Sequence, residues 1–381
     1  MMVLSLFLLL LLSLQSHVTA REITFPPVAG ISQHPVVAHA GDEPFDIGMS
    51  SAFYGLTTYA NLPYVHCLSP KDEGVEKYDI AILGAPFDTA VTARPGARFG
   101  PGGIRRGSRR ISPEFSWDII TGENVFLDWA KIVDCGDAPL TWLDNTVALK
   151  QLDTAHETIS SRPGNSSEYS IPRIITLGGD HTTTLSALRS TYKKWGQVSV
   201  IHFDSHLDTW DPKVLGGGIS HYAGVNHGTF LHIAHEEGLI RNTSIHAGIR
   251  APMARPRGDL RNDARCGFEI VTARDIDHIG VSGIVEKLKK RVANSLVYIS
   301  VDIDVLDPGS APGTGTAEVG GWTTRELLTI LDSLLGLEVI GADVVEVAPI
   351  YDNAGETTVL AAAEVVRSLI GLMVGQPVTS T

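Results

Sequence analysis

Asp204, His206 and Asp208 occupy every second position of the stretch His202-Phe203-Asp204-Ser205-His206-Leu207-Asp208. Carboxylates and imidazoles are ligands for divalent cations, and a strand would aim alternate positions at one face. Two carboxylates crowded against an imidazole repel one another unless a cation sits among them. Taken alone, such a match reads equally well as a polar strand end in water. Two further clusters argue against that reading: Gly178-Gly179-Asp180-His181 and Asp302-Ile303-Asp304, the latter followed by the turn Asp307-Pro308-Gly309. Six ligands result: His181, Asp204, His206, Asp208, Asp302 and Asp304. Four carboxylates and two imidazoles suit a pair of borderline-hard divalent ions better than one tetrahedral zinc.

Each cluster follows a short apolar run that reads as a buried strand: 174–177, 198–201 and 296–301. Similar runs lie at 80–83, 244–248, 268–271 and 339–347. Helix-like segments at 140–159, 182–195 and 282–292 separate them, and Thr323-Thr324-Arg325-Glu326 has the capping-box spacing before a helix that Gly336 can close. Helices between strands imply a mostly parallel, doubly wound sheet covered on both faces, a three-layer α/β/α fold. In such sheets ligands bind at the carboxyl edge, where all three clusters fall. The arginines of the loop 93–110 are expected to hold loop structure. One domain over 78–381 is the economical reading.

The three clusters, G-G-D-H from Gly178, D-S-H-L-D from Asp204 and S-V-D-I-D-V-L-D-P from Ser300, resemble the signature motifs of the ureohydrolases, the arginases and agmatinases. So do Gly84-Ala85-Pro86-Phe87-Asp88, the segment from Arg94 to Pro101, His227-Gly228-Thr229-Phe230 and Glu346-Val347-Ala348-Pro349. The resemblance implies an arginase-like fold and two Mn2+ per chain. In it Asp204 and Asp302 bridge the ions, His181 and Asp208 complete one shell, and His206 and Asp304 the other. His227 resembles the histidine that passes a proton to the leaving amine, a role suited to imidazole. Glu346 would grip a guanidinium by charge-assisted contact, and Asp208 would also accept a hydrogen bond from the attacking hydroxide. Where arginases carry an asparagine that holds the substrate carboxylate, this chain has Trp210, which points toward agmatine, cleaved to putrescine and urea. His221 and Trp210 are weaker pocket-lining candidates, and Ala317 departs from the family's more usual proline without touching a ligand. The alternatives are another guanidino substrate (4-guanidinobutanoate or arginine), or a non-catalytic secreted protein that binds metal or guanidino ligands. A fold-related zinc deacetylase would leave His206 and Asp304 unexplained. A small cationic guanidino substrate and a homo-oligomer are the partners expected.

Residues 1–20 read as a secretory signal peptide: a leucine-rich run from Val3 to Leu14 and small residues ending at Ala20. The run is short for a membrane span, and an uncleaved anchor is the competing reading. Residues 21–77, with Pro26-Pro27, Pro35 and Pro44, read as an N-terminal arm. The sequons at Asn165 and Asn242 agree with secretion or a secretory-pathway lumen, and with a glycoprotein. Three cysteines, Cys67, Cys135 and Cys266, allow one bridge plus a free thiol or three buried thiols. A formal charge of −13 disfavours nucleic acid and anionic membrane surfaces as partners and is compatible with a cationic substrate. With 43% hydrophobic residues the chain can bury a large core.

Overall fold

In the computed structural model, residues 53–70, 74–220 and 222–379 are described. The expected signal peptide at 1–20, most of the arm at 21–77 and His221 lie outside the described residues. The described chain falls within one compact unit, Ala52–Thr381.

In chain order the elements are β1 (Ile80–Gly84), α1 (Gly100–Gly107), β2 (Ile132–Asp137), α2 (Asn145–Ser160), β3 (Arg173–Leu177), α3 (Thr183–Trp195), β4 (Ser199–Phe203) and α4 (Phe230–Glu236). There follow β5 (Ser244–Ile249), α5 (Pro256–Arg265), β6 (Phe268–Thr272), α6 (Asp275–Arg291), β7 (Val297–Asp302), α7 (Thr324–Ser333), β8 (Val339–Val345) and α8 (Thr357–Gly375). All eight strands join one sheet in the order β2-β1-β3-β8-β7-β4-β5-β6, and every pairing is parallel. Parallel strands need helical crossovers, so the α/β alternation follows from the sequence pattern.

The strands are apolar on both sides because both sides are covered. Ile80 and Ile82 enter one core cluster with α7 and α8, whereas Ala81 and Leu83 enter another with α2. On the second side Val198, Val200 and Tyr298 pack with Leu185 and Leu188 of α3 and Phe230 and Leu231 of α4. The result is the expected three-layer fold.

Local signals set the helix ends. α2 begins later than the pattern suggested, because Asp144 caps it through Val147 N–H and Leu140 to Leu143 precede the cap. The capping box at Thr323 and Glu326 opens α7, and Gly336 stands at φ +94° beyond its end. α6 starts before Ser282, with Gly280 breaking its backbone at φ 65°. β2 follows no strand recognised in advance: Asp134, Gly136 and Asp137 interrupt its apolar pattern. Asp134 is nonetheless buried, taking both Nε and Nη2 of Arg105 at 2.8 and 2.9 Å. Arg98 reaches Asp88 at 2.5 Å, so two arginines of the 93–110 loop fix structure. Within the stretch read as an arm, Tyr59, Ala60 and Cys67 are buried; Tyr59 donates to Ala363 O at 2.8 Å and Cys67 is bridged to Cys135. Cys266 is a buried free thiol.

Candidate metal centre and catalytic pocket

The site lies at the carboxyl ends of the four central strands, β3, β8, β7 and β4. Their parallel register carries four chain segments to one edge: 178–181, 346–348, 302–304 and 204–208. Gly179 makes this crowding feasible, since a Cβ there would overlap the backbone of Phe87.

The alternation expected for Asp204, His206 and Asp208 is not strand geometry. β4 ends at Phe203, and Asp208 adopts a left-handed backbone at φ 54°. The segment is folded by its own side chains: Asp204 Oδ1 accepts His206 N–H at 2.6 Å, and Asp304 Oδ1 accepts the N–H and hydroxyl of Ser205 at 3.1 and 2.7 Å. Asp302 ends β7, and its Oδ1 accepts Asp304 N–H at 2.8 Å within a short 3-10 turn. Loop bonding, rather than period-2 pleating, brings the ligands together.

Two ligand groups result, and Asp204 belongs to both. His181 Nδ1 stands 3.1 Å from Asp204 Oδ2, 3.1 Å from Asp208 Oδ2 and 3.3 Å from Asp302 Oδ2. Beside it His206 Nδ1 lies 3.3 Å from Asp204 Oδ1 and 3.1 Å from Asp304 Oδ2. Ser300 settles the His181 tautomer. Its hydroxyl donates to Asp343 Oδ1 at 2.6 Å, so toward His181 Nε2, 2.8 Å away, it can only accept. In a neutral His181 the Nδ1 lone pair would therefore face the carboxylates, where a cation could replace the proton they otherwise favour, and His181 Nδ1 and Asp204 Oδ2 are buried without a hydrogen-bond partner. Burial and the charges of Asp304 and Asp204 push Asp302 well above the ordinary carboxylate range. Burial opposes a charge on His181, but Asp204, Asp208 and Asp302 outweigh it and raise its pKa well above the usual value. Orphaned donor atoms and crowded carboxylates of this kind fit divalent cations. The structure brings all six expected ligands together.

His227 and Glu346 stand next to this cluster. Glu346 follows β8 at φ 60°; its Oε1 accepts His181 N–H at 2.9 Å and lies 3.0 Å from His227 Nδ1. On its other side His227 Nε2 meets the backbone N–H and the hydroxyl of Thr92 at 3.1 and 2.8 Å. Burial lowers the His227 pKa, but the bond to Glu346 and its charge dominate and raise it to about 9. Asp180 is pushed up to about 7 by burial and by Glu346; it ties Ala90 N–H and Thr182 N–H and so pins the loop under the pocket. Trp210 is half-buried, donates its N–H to Gly228 O at 3.1 Å and borders the His227 loop.

One residue escaped the sequence reading. His202, named only as the first residue of the 202–208 stretch and given no role, is fully buried with Nε2 3.1 Å from Asp204 Oδ2 and 4.0 Å from Asp208 Oδ2. Its position two before Asp204 was the available signal, masked by the apolar residues around it.

A sequence model of the Arginase family matches residues 78–371. The chain is 52% identical over 338 residues to "Putative agmatinase 1" of Schizosaccharomyces pombe, covering 86% of this chain and 84% of that one. It is 36% identical over 299 residues to the agmatinase of Neisseria meningitidis serogroup C, covering 77% and 87%. Among solved structures, proclavaminate amidino hydrolase from Streptomyces clavuligerus superposes with a TM-score of 0.74 at 32% identity, covering 86% of this chain and 99% of that chain.

Proposed function

The chain belongs to the arginase family, and on that premise we propose that it is a manganese-dependent amidinohydrolase that converts agmatine to putrescine and urea. The observation that carries this reading is the position of Glu346 and His227 beside the cluster of six cation ligands. Two Mn2+ would be held by His181, Asp204, His206, Asp208, Asp302 and Asp304, with Asp204 standing in both groups. When bound, the cations supply Lewis acidity that makes water nucleophilic at neutral pH.

The chain's own residues do the rest. Glu346 binds the guanidinium and fixes its carbon before the attacking water. Asp208 accepts a hydrogen bond from that water. The water gives up one proton as its oxygen adds to the guanidinium carbon, forming a tetrahedral adduct; on collapse the bond from carbon to the amine nitrogen breaks, His227 gives that nitrogen the proton it needs to leave as a neutral amine, and loss of the remaining hydroxyl proton yields urea. Trp210 gives a substrate carboxylate no amide donor, which favours agmatine over arginine. The similarity to proclavaminate amidino hydrolase keeps other guanidino compounds, including 4-guanidinobutanoate, as the second reading. The deciding experiment is urea release from agmatine, arginine and 4-guanidinobutanoate, with and without added manganese. No urea from any of them would leave a binding protein of the same fold.

We propose separately that the mature protein resides in a secretory lumen or outside the cell. Three features support it: the leucine-rich residues 3–14, exposed asparagines at both sequons, and the Cys67–Cys135 disulfide, a bond favoured by oxidising compartments. Terminal sequencing and glycosidase treatment test it. An unglycosylated cytosolic product retaining Met1 would refute it.

A further inference from the structure

The loop that follows β7 passes the site and carries one carboxylate that the mechanism above does not use. Thr314 pairs with Val347 in an antiparallel bridge, next to Glu346. A Cβ on Gly315 would stand 3.9 Å from Glu346 Oε2. Thr316 donates its hydroxyl to Asp304 Oδ2 at 3.2 Å. Glu318 then brings Oε1 to 3.7 Å from His206 Nε2. The loop thus runs from Glu346, past the ligand cluster, to a second carboxylate beside His206.

The backbone of Glu318 is fastened and its side chain is uncommitted. Its carbonyl oxygen accepts Nε and Nη2 of Arg250 at 3.3 and 2.7 Å. The remaining bonds of that guanidinium end on the carbonyl oxygens of Gly248, Asp304, Val305 and Leu306, so none goes to the carboxylate. Among the described residues the Glu318 carboxylate accepts no hydrogen bond, and its one ion-pair contact is His206, at a separation too long for a hydrogen bond. The two side chains are 35% and 25% exposed, so a ligand can reach between them and solvent. A carboxylate held in place at the edge of a site, with no cation of its own, is an acceptor for an ammonium group.

The spacing fits such a group. Agmatine is cationic at both ends, and the six bonds of about 1.5 Å from its guanidinium carbon to its amine nitrogen extend to roughly 7–8 Å. The backbone from Gly315 to Glu318 spans at most about 10 Å, so both carboxylates lie within reach of one such molecule. We propose that Glu318 receives the terminal ammonium of the substrate while Glu346 holds the guanidinium, and so selects aminoalkylguanidines over guanidino acids. 4-Guanidinobutanoate brings a carboxylate to the same place, where it meets like charge. The inference rests on the amidinohydrolase reading and decides between its two candidate substrates.

The test is kcat/KM for urea release from agmatine, 1-guanidinobutane and 4-guanidinobutanoate by the manganese-loaded full chain, wild type against Glu318→Gln, with Mn2+ affinity titrated alongside. 1-Guanidinobutane keeps the guanidinium and the four carbons and lacks the amine. The isosteric amide removes only the charge, so agmatine should lose about tenfold, the lower end for a charge-assisted contact that is partly exposed. The ratio of agmatine to 1-guanidinobutane should fall by about that factor, and turnover of 4-guanidinobutanoate should rise. An equal fall for all three substrates with weakened Mn2+ binding would assign Glu318 to the support of His206 and overturn the proposal. An unchanged ratio, or a wild type that cleaves 4-guanidinobutanoate in preference to agmatine, overturns it while leaving the amidinohydrolase reading in place. A wild type that releases no urea from these three or from arginine sinks that reading, and this proposal with it.

Discussion

Glu346 Oε1 contacts His227 Nδ1 at 3.0 Å while also accepting the backbone N–H of His181 at 2.9 Å. One oxygen thus joins the candidate proton donor to a metal-ligand segment. Glu346→Gln keeps the shape and removes the charge. Loss of a charge-assisted contact to the guanidinium should lower kcat/KM by about a hundredfold, roughly 3 kcal/mol. The pH profile should move as well. The bond to Glu346 and its charge raise the His227 pKa against the effect of burial. Without the charge, burial dominates, and the alkaline limb of the profile should shift to lower pH. An unchanged limb would show that His227 does not report on Glu346.

The second expectation concerns the cations. Ions that bind only the folded chain stabilise it by about 4 kcal/mol at a thousandfold excess over Kd. Chelation should therefore lower Tm, and manganese should restore it. His206→Ala should leave one ion bound tightly and one weakly, with a large loss of turnover. Metal analysis finding a single zinc per chain at full activity would contradict the pair.

Much of this was legible in the sequence for a physical reason. A buried parallel strand is a short β-branched run, and a cluster of carboxylates at its end has few uses other than cation binding. The legible parts were thus the central strands, the clustering of the six candidate ligands and the three-layer fold. What escaped depends on contacts distant in the chain. β2 is hidden because Asp134 is tolerated in the core through Arg105 and the backbone N–H groups of Tyr59 and Gly136. The left-handed Asp208 and Glu346 are set by loop bonding, not by propensity. His202 carried no signal of its own, since its neighbour His246 comes from β5, distant in the chain. The pairing of Cys67 with Cys135 needed the packing of residues 59–67 against β2.

His156 offers a stability test independent of the site. It is buried in α2 with Nε2 unpartnered, and burial lowers its pKa to about 4. The unfolded chain binds the proton more readily, at about 6.5, so this contribution is intact above pH 6.5 and is lost as pH falls toward 4. In chelator, the loss of unfolding free energy between pH 7 and 4.5 should be smaller in His156→Gln than in the wild type by roughly 2 kcal/mol. Urea unfolding at the two pH values measures it, and parallel losses would exclude His156 as the group responsible.

The Cys67–Cys135 bridge closes a loop with a sequence separation of 68. Constraining an unfolded loop of that length is worth about 4 kcal/mol in the chain-entropy account, with typical values of about 2–4. Cys67→Ser should lower stability by that order while leaving the substrate preference untouched, since the bond lies at β2, remote from the ligand segments in the sheet order. Equal unfolding midpoints for the two proteins under oxidising conditions would count against a formed bridge.

The last expectation is the preference for agmatine over arginine. In the proposed reading Glu346 binds the guanidinium end common to both, so discrimination would come from the other end of the substrate. There Trp210 borders the His227–Gly228 loop, donating its backbone N–H to Gly228 O. Asn226 is already committed, its amide donating to Leu215 O and Ala223 O at 3.2 and 3.0 Å. Neither the Trp210 backbone N–H nor the Asn226 amide is free to hold a carboxylate. Burying that charge without partners costs on the order of several kcal/mol, which corresponds to a few decades in kcat/KM. Agmatine carries no carboxylate and avoids the penalty. Trp210→Asn, which supplies an amide at that position, should narrow the gap by raising kcat/KM for arginine while lowering it for agmatine. The measurement is kcat/KM for both substrates in manganese-loaded enzyme at one pH. Equal values in the wild type, or a preference for arginine, would show that Trp210 does not set the specificity.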